Sequence, residues 1–198
     1  NGCGLIKSNP SEIIVVGDPT ITTQPLPTQT LCEGSTATIL AVTATGGIGS
    51  YTYQWYKNTP PDTILSGETK DTYSPETTSV GTIEYYCIVS QPNLGCEVVS
   101  TIAEVNIVPA PKFTSQPLSS SVCEGGIPKP LSVSYSNGTG IASYQWYSNS
   151  IDTNSGGTAI SGATSAIYNP QSNSIGTTYY YCEITFSSGG CTLISSET

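Results

Sequence analysis

The sequence predicts an all-β chain of two sandwiches in tandem, and three observations carry that expectation. The stretch Tyr53-Gln-Trp-Tyr56 returns as Tyr144-Gln-Trp-Tyr147. Each is followed by a second stretch, Tyr85-Tyr-Cys-Ile-Val89 and Tyr180-Tyr-Cys-Glu-Ile184. Composition agrees: Thr, Ser, Val, Ile and 13 Tyr suit a pleated surface, while 20 Gly and 14 Pro supply turns. A large indole on one strand facing a cysteine on another is the centre of an immunoglobulin-like, Greek-key β-sandwich. With that pair present twice in 198 residues, the chain divides into two domains of about 90 residues, each able to bury its own core.

Taken in order, residues 1–17 read as the last strand of a preceding domain or a donor strand. Ile13-Ile-Val-Val16 matches Val105-Asn-Ile-Val108, and Gly2-Cys3 matches Gly95-Cys96. Residues 18–109 form the first domain. Gln24-Pro25 suits an edge strand, because proline cannot complete a central ladder. Cys32-Glu33-Gly34 is a turn, Thr36 to Thr43 is strand B, Tyr51 to Tyr56 is strand C, Ile83 to Val89 is strand F and Glu97 to Val108 is strand G. Pro109-Ala-Pro111 is a short, stiff linker. Residues 110–198 retrace the order through Gln116-Pro117, Cys123-Glu124-Gly125, Trp146 and Tyr179 to Ile184. After Gly190-Cys191 the chain reaches Thr198 before the Val/Ile run that closes the other copies.

The chain thus opens with an extra N-terminal G-type strand, and its second domain is short of the end of one. Cys3, Cys96 and Cys191 stand 93 and 95 residues apart, close to two whole periods. A window cut from a long repeat protein accounts for this. So does strand donation, in which residues 1–16 complete the open last domain of the next subunit in a head-to-tail filament. A simple truncation with frayed ends is the third account.

On the two-residue period of a strand, Tyr53 and Trp55 face one way and Gln54 and Tyr56 the other. The expected core is Leu40, Val42, Trp55 and Tyr85 in the first domain, and Leu131, Val133, Trp146 and Tyr180 in the second. Tyr85 and Tyr180 hold the position of a tyrosine corner. The outward rings Tyr56, Tyr86, Tyr147 and Tyr181 form either a stripe for glycan or partner, or strand cover and lateral packing.

Several function classes are excluded. Net charge is −9, and the only five cations are scattered lysines, so there is no nucleic-acid footprint. No apolar run is long enough to cross a bilayer, so the chain is not membrane-embedded. Without histidine the usual Ser–His–Asp and Cys–His arrangements are absent. The 14 acids recur in register only at Glu33 and Glu124. Asp18, Asp62 and Asp71 lack the close spacing of a calcium site. No catalytic residue, metal or cofactor is expected, and the chain is not read as an enzyme. Seven cysteines without Cys-x2-Cys or His point to an oxidising setting, extracellular or at the cell surface.

The series Cys-Glu-Gly, Tyr-Gln-Trp-Tyr, Ile160-Ser-Gly-Ala-Thr164, Tyr73-Ser-Pro75 and Tyr168-Asn-Pro170, Val80-Gly-Thr82 and Ile175-Gly-Thr177, Tyr-Tyr-Cys and Gly-Cys resembles the Ig-like repeats of very large surface and secreted proteins of Bacteroidetes bacteria. The resemblance implies a structural repeat of an extracellular fibre, stalk or giant adhesin, whose partners are copies of itself or neighbouring Ig-like repeats. Such repeats also occur as glycan- or protein-binding modules and beside secreted enzymes, so surface glycan stays open as a partner. Asp62-Thr63-Ile64 looks like the short motif for O-linked glycans in that group, with Thr63 as acceptor. Asn137-Gly-Thr139 is a formal N-glycosylation site at Asn137.

The cysteines depart from the usual immunoglobulin scheme. The partner of a strand-F cysteine belongs in mid-strand B, near Ala41 or Ser132, where there is none. Two pairings are open. One lies within the F–G hairpins, Cys87–Cys96 and Cys182–Cys191, and strands Cys3 without its upstream partner. The other is Cys32–Cys87 and Cys123–Cys182.

Overall fold

The computed structural model describes residues 3–92 and 95–198, and among these every regular element is a strand. In chain order they are β1 (Thr20–Thr23), β2 (Thr28–Cys32), β3 (Leu40–Ala41), β4 (Thr43–Thr45), β5 (Thr52–Lys57), β6 (Thr63–Ile64), β7 (Thr72–Tyr73), β8 (Gly81–Gln91) and β9 (Cys96–Val99). There follow β10 (Ala103–Val108), β11 (Lys112–Ser115), β12 (Leu131–Ser132), β13 (Ser134–Ser136), β14 (Thr139–Asn149), β15 (Thr158–Ala159), β16 (Ile167–Tyr168), β17 (Tyr179–Ser188) and β18 (Thr192–Ile194). By Cα proximity they fall into two compact units, residues 1–25, 41–73 and 85–102, and residues 26–40, 74–84 and 103–198.

In the first unit β5 runs antiparallel to β8, with Trp55 opposite Cys87 and Tyr56 opposite Tyr86. β9 continues the hairpin on β8, β6 flanks β5, and β1 pairs with β4. β1 stops at Thr23, before Gln24-Pro25, because proline has no N–H for the ladder. Val42, Trp55, Tyr85, Cys87 and Val89 are buried. The Trp55 ring lies 5.8 Å from Tyr73, which lies 5.2 Å from Tyr85. The amide of Gln91 is buried with no hydrogen-bond partner among the described residues.

In the second unit the main sheet runs β15–β14–β17–β18, with Trp146 opposite Cys182. β12 pairs with β16 and β11 with β13. Leu131, Val133, Trp146, Cys182, Ile184 and Phe186 form one core, with Tyr180 half-buried at its edge. Phe186 packs edge-on to Tyr135 at 5.0 Å. β10 pairs with β2 in parallel, Glu104 beside Thr28 through Val108 beside Cys32.

The motif around each indole has the same job twice. Trp55 Nε1 donates to the Lys70 carbonyl at 2.9 Å, and Trp146 Nε1 donates to Ser165 at 2.9 Å. Gln54 Nε2 donates to Leu65 at 2.7 Å, and Gln145 Nε2 to Ile160 at 2.9 Å. Tyr-Gln-Trp-Tyr therefore fixes a strand, its ring partner and the following Ser-Gly turn together.

The expected extra N-terminal G-type strand is not formed within the chain itself. Residues 3–19 take no strand conformation, and Ile13, Ile14 and Val15 are exposed. A strand gains its hydrogen bonds from a neighbour, and among the described residues none lies beside this one. Asn1 and Gly2 lie outside the described residues.

Replacing Trp146 removes a fully buried side chain and its hydrogen bond. Trp146→Ala is expected to lower stability by about 3–5 kcal/mol, read as a lower urea midpoint at unchanged slope.

Candidate functional site

The site is the turn Cys32-Glu33-Gly34 and the β17–β18 hairpin tip. Cys32 ends β2, where the parallel register places it beside Val108. Glu33 N donates to the Val108 carbonyl at 2.9 Å, and the Glu33 carboxylate accepts from Ala110 N at 3.4 Å. Ser35 N and its hydroxyl both donate to the Cys32 carbonyl, at 3.0 and 2.6 Å. Gly34, at φ 79°, donates to the Thr77 carbonyl at 2.9 Å, while the Thr77 hydroxyl donates to Ser35 O. A left-handed residue costs glycine nothing there, which explains its place in the motif.

Against this turn sits Gly189-Gly190-Cys191. Cys32 N donates to the Gly189 carbonyl at 2.7 Å, and a disulfide joins Cys32 to Cys191 with Cα atoms 5.2 Å apart. Gly189 has φ +75°, and a Cβ on it would stand 2.7 Å from Val108 Cγ2. Close approach and backbone conformation both demand glycine. The bond lies on the apolar cluster of Val108 and Phe186, with Cys191 2% exposed. The site is thus a covalent staple, seated on a packed floor and aligned by backbone hydrogen bonds.

Both disulfide pairings expected from the sequence are corrected. In the β8–β9 hairpin Cys96 lies opposite Gln91, whereas Cys87 accepts from Ser100 N. That is four residues off register, about 13 Å along a strand, far beyond the Cβ separation of about 3.8 Å a disulfide needs. The second hairpin repeats the offset: Cys191 O accepts from Phe186 N, and Cys182 O from Ser195 N. For the alternative, Cys32 is committed to Cys191, while Cys123 is exposed and Cys182 is sealed in the core. Cys87, Cys96, Cys123 and Cys182 are thiols. Burial pushes the Cys87 thiol up to about 11 and the Cys182 thiol up to about 12. These are inert core residues, because the thiolate is the reactive form. Cys96 is raised too, by desolvation and by Asp18, whose carboxylate accepts its hydrogen bond.

The outward tyrosines do not form an open stripe. Tyr56 stacks on Tyr86 at 5.1 Å and Tyr147 on Tyr181 at 5.0 Å, with the rings 6° apart in both pairs. Tyr181 is buried, and its hydroxyl accepts from Gly157 N at 3.1 Å. Tyr86 donates to Asp62 at 2.9 Å, and burial together with that carboxylate pushes its phenol up to about 12. Tyr147 donates to Glu183 at 3.3 Å. Asn137 is exposed, but its Nδ2 donates to the Ala110 carbonyl at 3.3 Å. Thr63 is exposed on β6. Among the described residues no three His, Cys, Asp or Glu converge as a metal site.

Two functional pairs escaped the sequence reading. Ser100 and Ser195 accept from the N–H of Cys87 and Cys182, each at 2.9 Å. Gln24 and Gln116 accept from Thr101 N at 2.9 Å and Ser196 N at 3.0 Å. Their signal is recurrence: Val99-Ser100-Thr101 returns as Ile194-Ser195-Ser196, and Gln24-Pro25 as Gln116-Pro117.

A family model described as a domain of unknown function (DUF8696) matches residues 115–198. No curated protein matches the chain. Solved structures match along nearly its whole length. Domains 3–5 of Drosophila OTK share 14% identity at a TM-score of 0.53, covering 91% of this chain and 61% of that one. A three-Ig fragment of titin shares 14% at 0.51, covering 92% and 65%. Immunoglobulin domains 1–4 of Sidekick-1 share 16% at 0.50, covering 90% and 48%. The chain therefore spans only part of each, and the likeness shows an immunoglobulin-like all-β fold.

The staple closes a loop with a sequence separation of 159. Reduction, or Cys32→Ser with Cys191→Ser, is expected to cost about 2–4 kcal/mol, measured as a lower thermal midpoint that reductant no longer shifts in the double variant.

Proposed function

We propose that this chain is a structural repeat unit of an extracellular fibre, stalk or giant cell-surface adhesin, built from Ig-like domains at 18–109 and 110–198. Its kind is that of the Bacteroidetes surface repeats whose motifs it resembles. The observation that carries this reading is the Cys32–Cys191 bond. Both sulfurs lie in one compact unit, and in the domain division proposed here the bond runs from the Cys32-Glu33-Gly34 turn of one repeat to the F–G hairpin of the next. A disulfide of this kind belongs to an oxidising setting. Under tension the force enters through residues before 32, crosses the sulfurs and leaves after 191. Everything between is shielded from extension.

The paired, partly buried tyrosines leave a glycan stripe without support. Pulling single molecules by their ends tests the structural reading. Oxidised chains should extend roughly 550 Å less than reduced ones, at 3.3–3.6 Å for each residue in the loop. Equal extension in both states would remove the proposal.

Head-to-tail strand donation extends the same reading. A groove of about 470 Å³ runs between Ser119–Glu124 and Ile175–Tyr180. Thr198 N and O exchange hydrogen bonds with Tyr180, both at 3.1 Å, at the place that Ala103 holds in the first repeat. The next residues there, Glu104 to Val108, lie beside β2, and Glu12-Ile-Ile-Val-Val16 has their pattern. Since Val105 and Ile107 are buried and Asn106 is only half-buried, Ile13 and Val15 are the residues that turn inward. In sedimentation of the reduced chain, Ile13→Asp and Val15→Asp should each abolish oligomers, while Ile14→Asn leaves them intact. Loss at all three positions, or at none, overturns the donation.

A further inference from the structure

The staple is made once in this molecule, yet its Cys-Glu-Gly half occurs twice and its Gly-Cys half three times, at Gly2-Cys3, Gly95-Cys96 and Gly190-Cys191. Cys123-Glu124-Gly125 repeats Cys32-Glu33-Gly34 in conformation as well as sequence. Gly125 has φ 75° beside 79° for Gly34. Gly125 N donates to the Ser172 carbonyl at 2.9 Å, as Gly34 N does to Thr77 at 2.9 Å. The Ser172 hydroxyl donates to Gly126 O as the Thr77 hydroxyl does to Ser35 O. Gly126 N closes the turn on the Cys123 carbonyl at 2.9 Å. Cys123 is exposed and borders the groove that the donated strand would fill. The other half recurs as Gly95-Cys96, with Gly95 at φ 68° beside 65° for Gly190.

We propose that Cys123 of one molecule forms a disulfide with Cys96 of a second copy, sealing the same joint between molecules that Cys32–Cys191 seals within one. The inference rests on the strand-donation reading. Placing Glu12–Val16 of the incoming copy beside residues 119–123 reproduces the β10–β2 pairing. It then carries the incoming copy's first F–G hairpin to Cys123, as the chain after β10 carries Cys191 to Cys32. Residues 3–11, which form no strand, are displaced by Cys191–Thr198 of the acceptor. The sequence departs from the template at one point, with Leu94 at the position of Gly189, so the close approach of Gly189 to Val108 is not part of the repeated joint.

The chemistry needs an electron acceptor of the disulfide class. With oxidised glutathione, the Cys123 thiolate attacks one glutathione sulfur and expels the other as a thiolate. The Cys96 thiolate then attacks the Cys123 sulfur of that mixed disulfide and releases the second glutathione. Two protein thiols are oxidised, one glutathione disulfide becomes two thiols, and the protons pass to the released sulfur atoms. Cys123 is exposed, whereas Cys96 is half-buried and hydrogen-bonded to Asp18, so Cys123 is the first to react.

The test uses the full chain carrying Cys3→Ser, which removes the exposed N-terminal thiol. Incubated with oxidised glutathione and run without reductant, it should give a ladder in steps of one chain, with a Cys123–Cys96 peptide in the digest. Adding Cys123→Ser or Cys96→Ser should leave monomers, and mixing those two variants should restore a dimer and nothing larger. A dimer from the Cys96→Ser chain alone, or a ladder without that peptide, overturns the proposal. Sedimentation in reductant separates the two claims. Chains that associate when reduced but never cross-link overturn the lock alone, whereas chains that fail to associate overturn the donation and the lock with it.

Discussion

Each sandwich depends on an indole that is buried and satisfied at once. A fully buried N–H without a partner would cost about 1–3 kcal/mol, enough to offset much of the gain from burying the ring. Here the proton goes to a main-chain carbonyl 15 residues on for Trp55 and 19 on for Trp146. The neighbouring glutamine binds the carbonyl of the intervening turn. Ring, strand and crossing segment are therefore set as one piece, and the remaining strands pack against it. The same logic places a cysteine opposite each indole as a small, apolar residue that stays a thiol.

This explains why the immunoglobulin pattern survives here without its usual cross-link. In that scheme a bond between two strands sits against the ring. Here the strand-F cysteine meets no cysteine on strand B, and burial keeps it protonated. The serine hydroxyl across from it caps its backbone N–H. Covalent closure has moved from the core to the end of the sandwich, where Cys32 meets Cys191. A bond in a core ties two facing strands. Here it ties the turn after β2 to the β17–β18 tip within one compact unit.

Most of the fold was legible because the sequence states it twice. Trp55 and Trp146, Leu40 and Leu131, and Val42 and Val133 are buried in matching pairs. Tyr85 is fully buried while its counterpart Tyr180 is only partly so. Alternation gave the faces of the outer tyrosines but not their stacking. A two-residue period says where a ring points and nothing of which ring stands on the neighbouring strand.

The disulfide was not legible for a related reason. Within one repeat, the spacing of Cys182 and Cys191 is that of a hairpin, and hairpin cysteines invite pairing across the two strands. Whether they face each other depends on how many residues the turn consumes, and here the count leaves them four rungs apart. The tip cysteine is thereby pushed off the end of the sheet, toward whatever lies beyond it. A cysteine there, a Cys-Glu-Gly turn of fixed hand and a glycine where a side chain would strike Val108 meet at that end of the sheet, over Val108 and Phe186. The question to ask of an unmatched hairpin cysteine is therefore how far along the sheet its turn has carried it, before which strand it sits on.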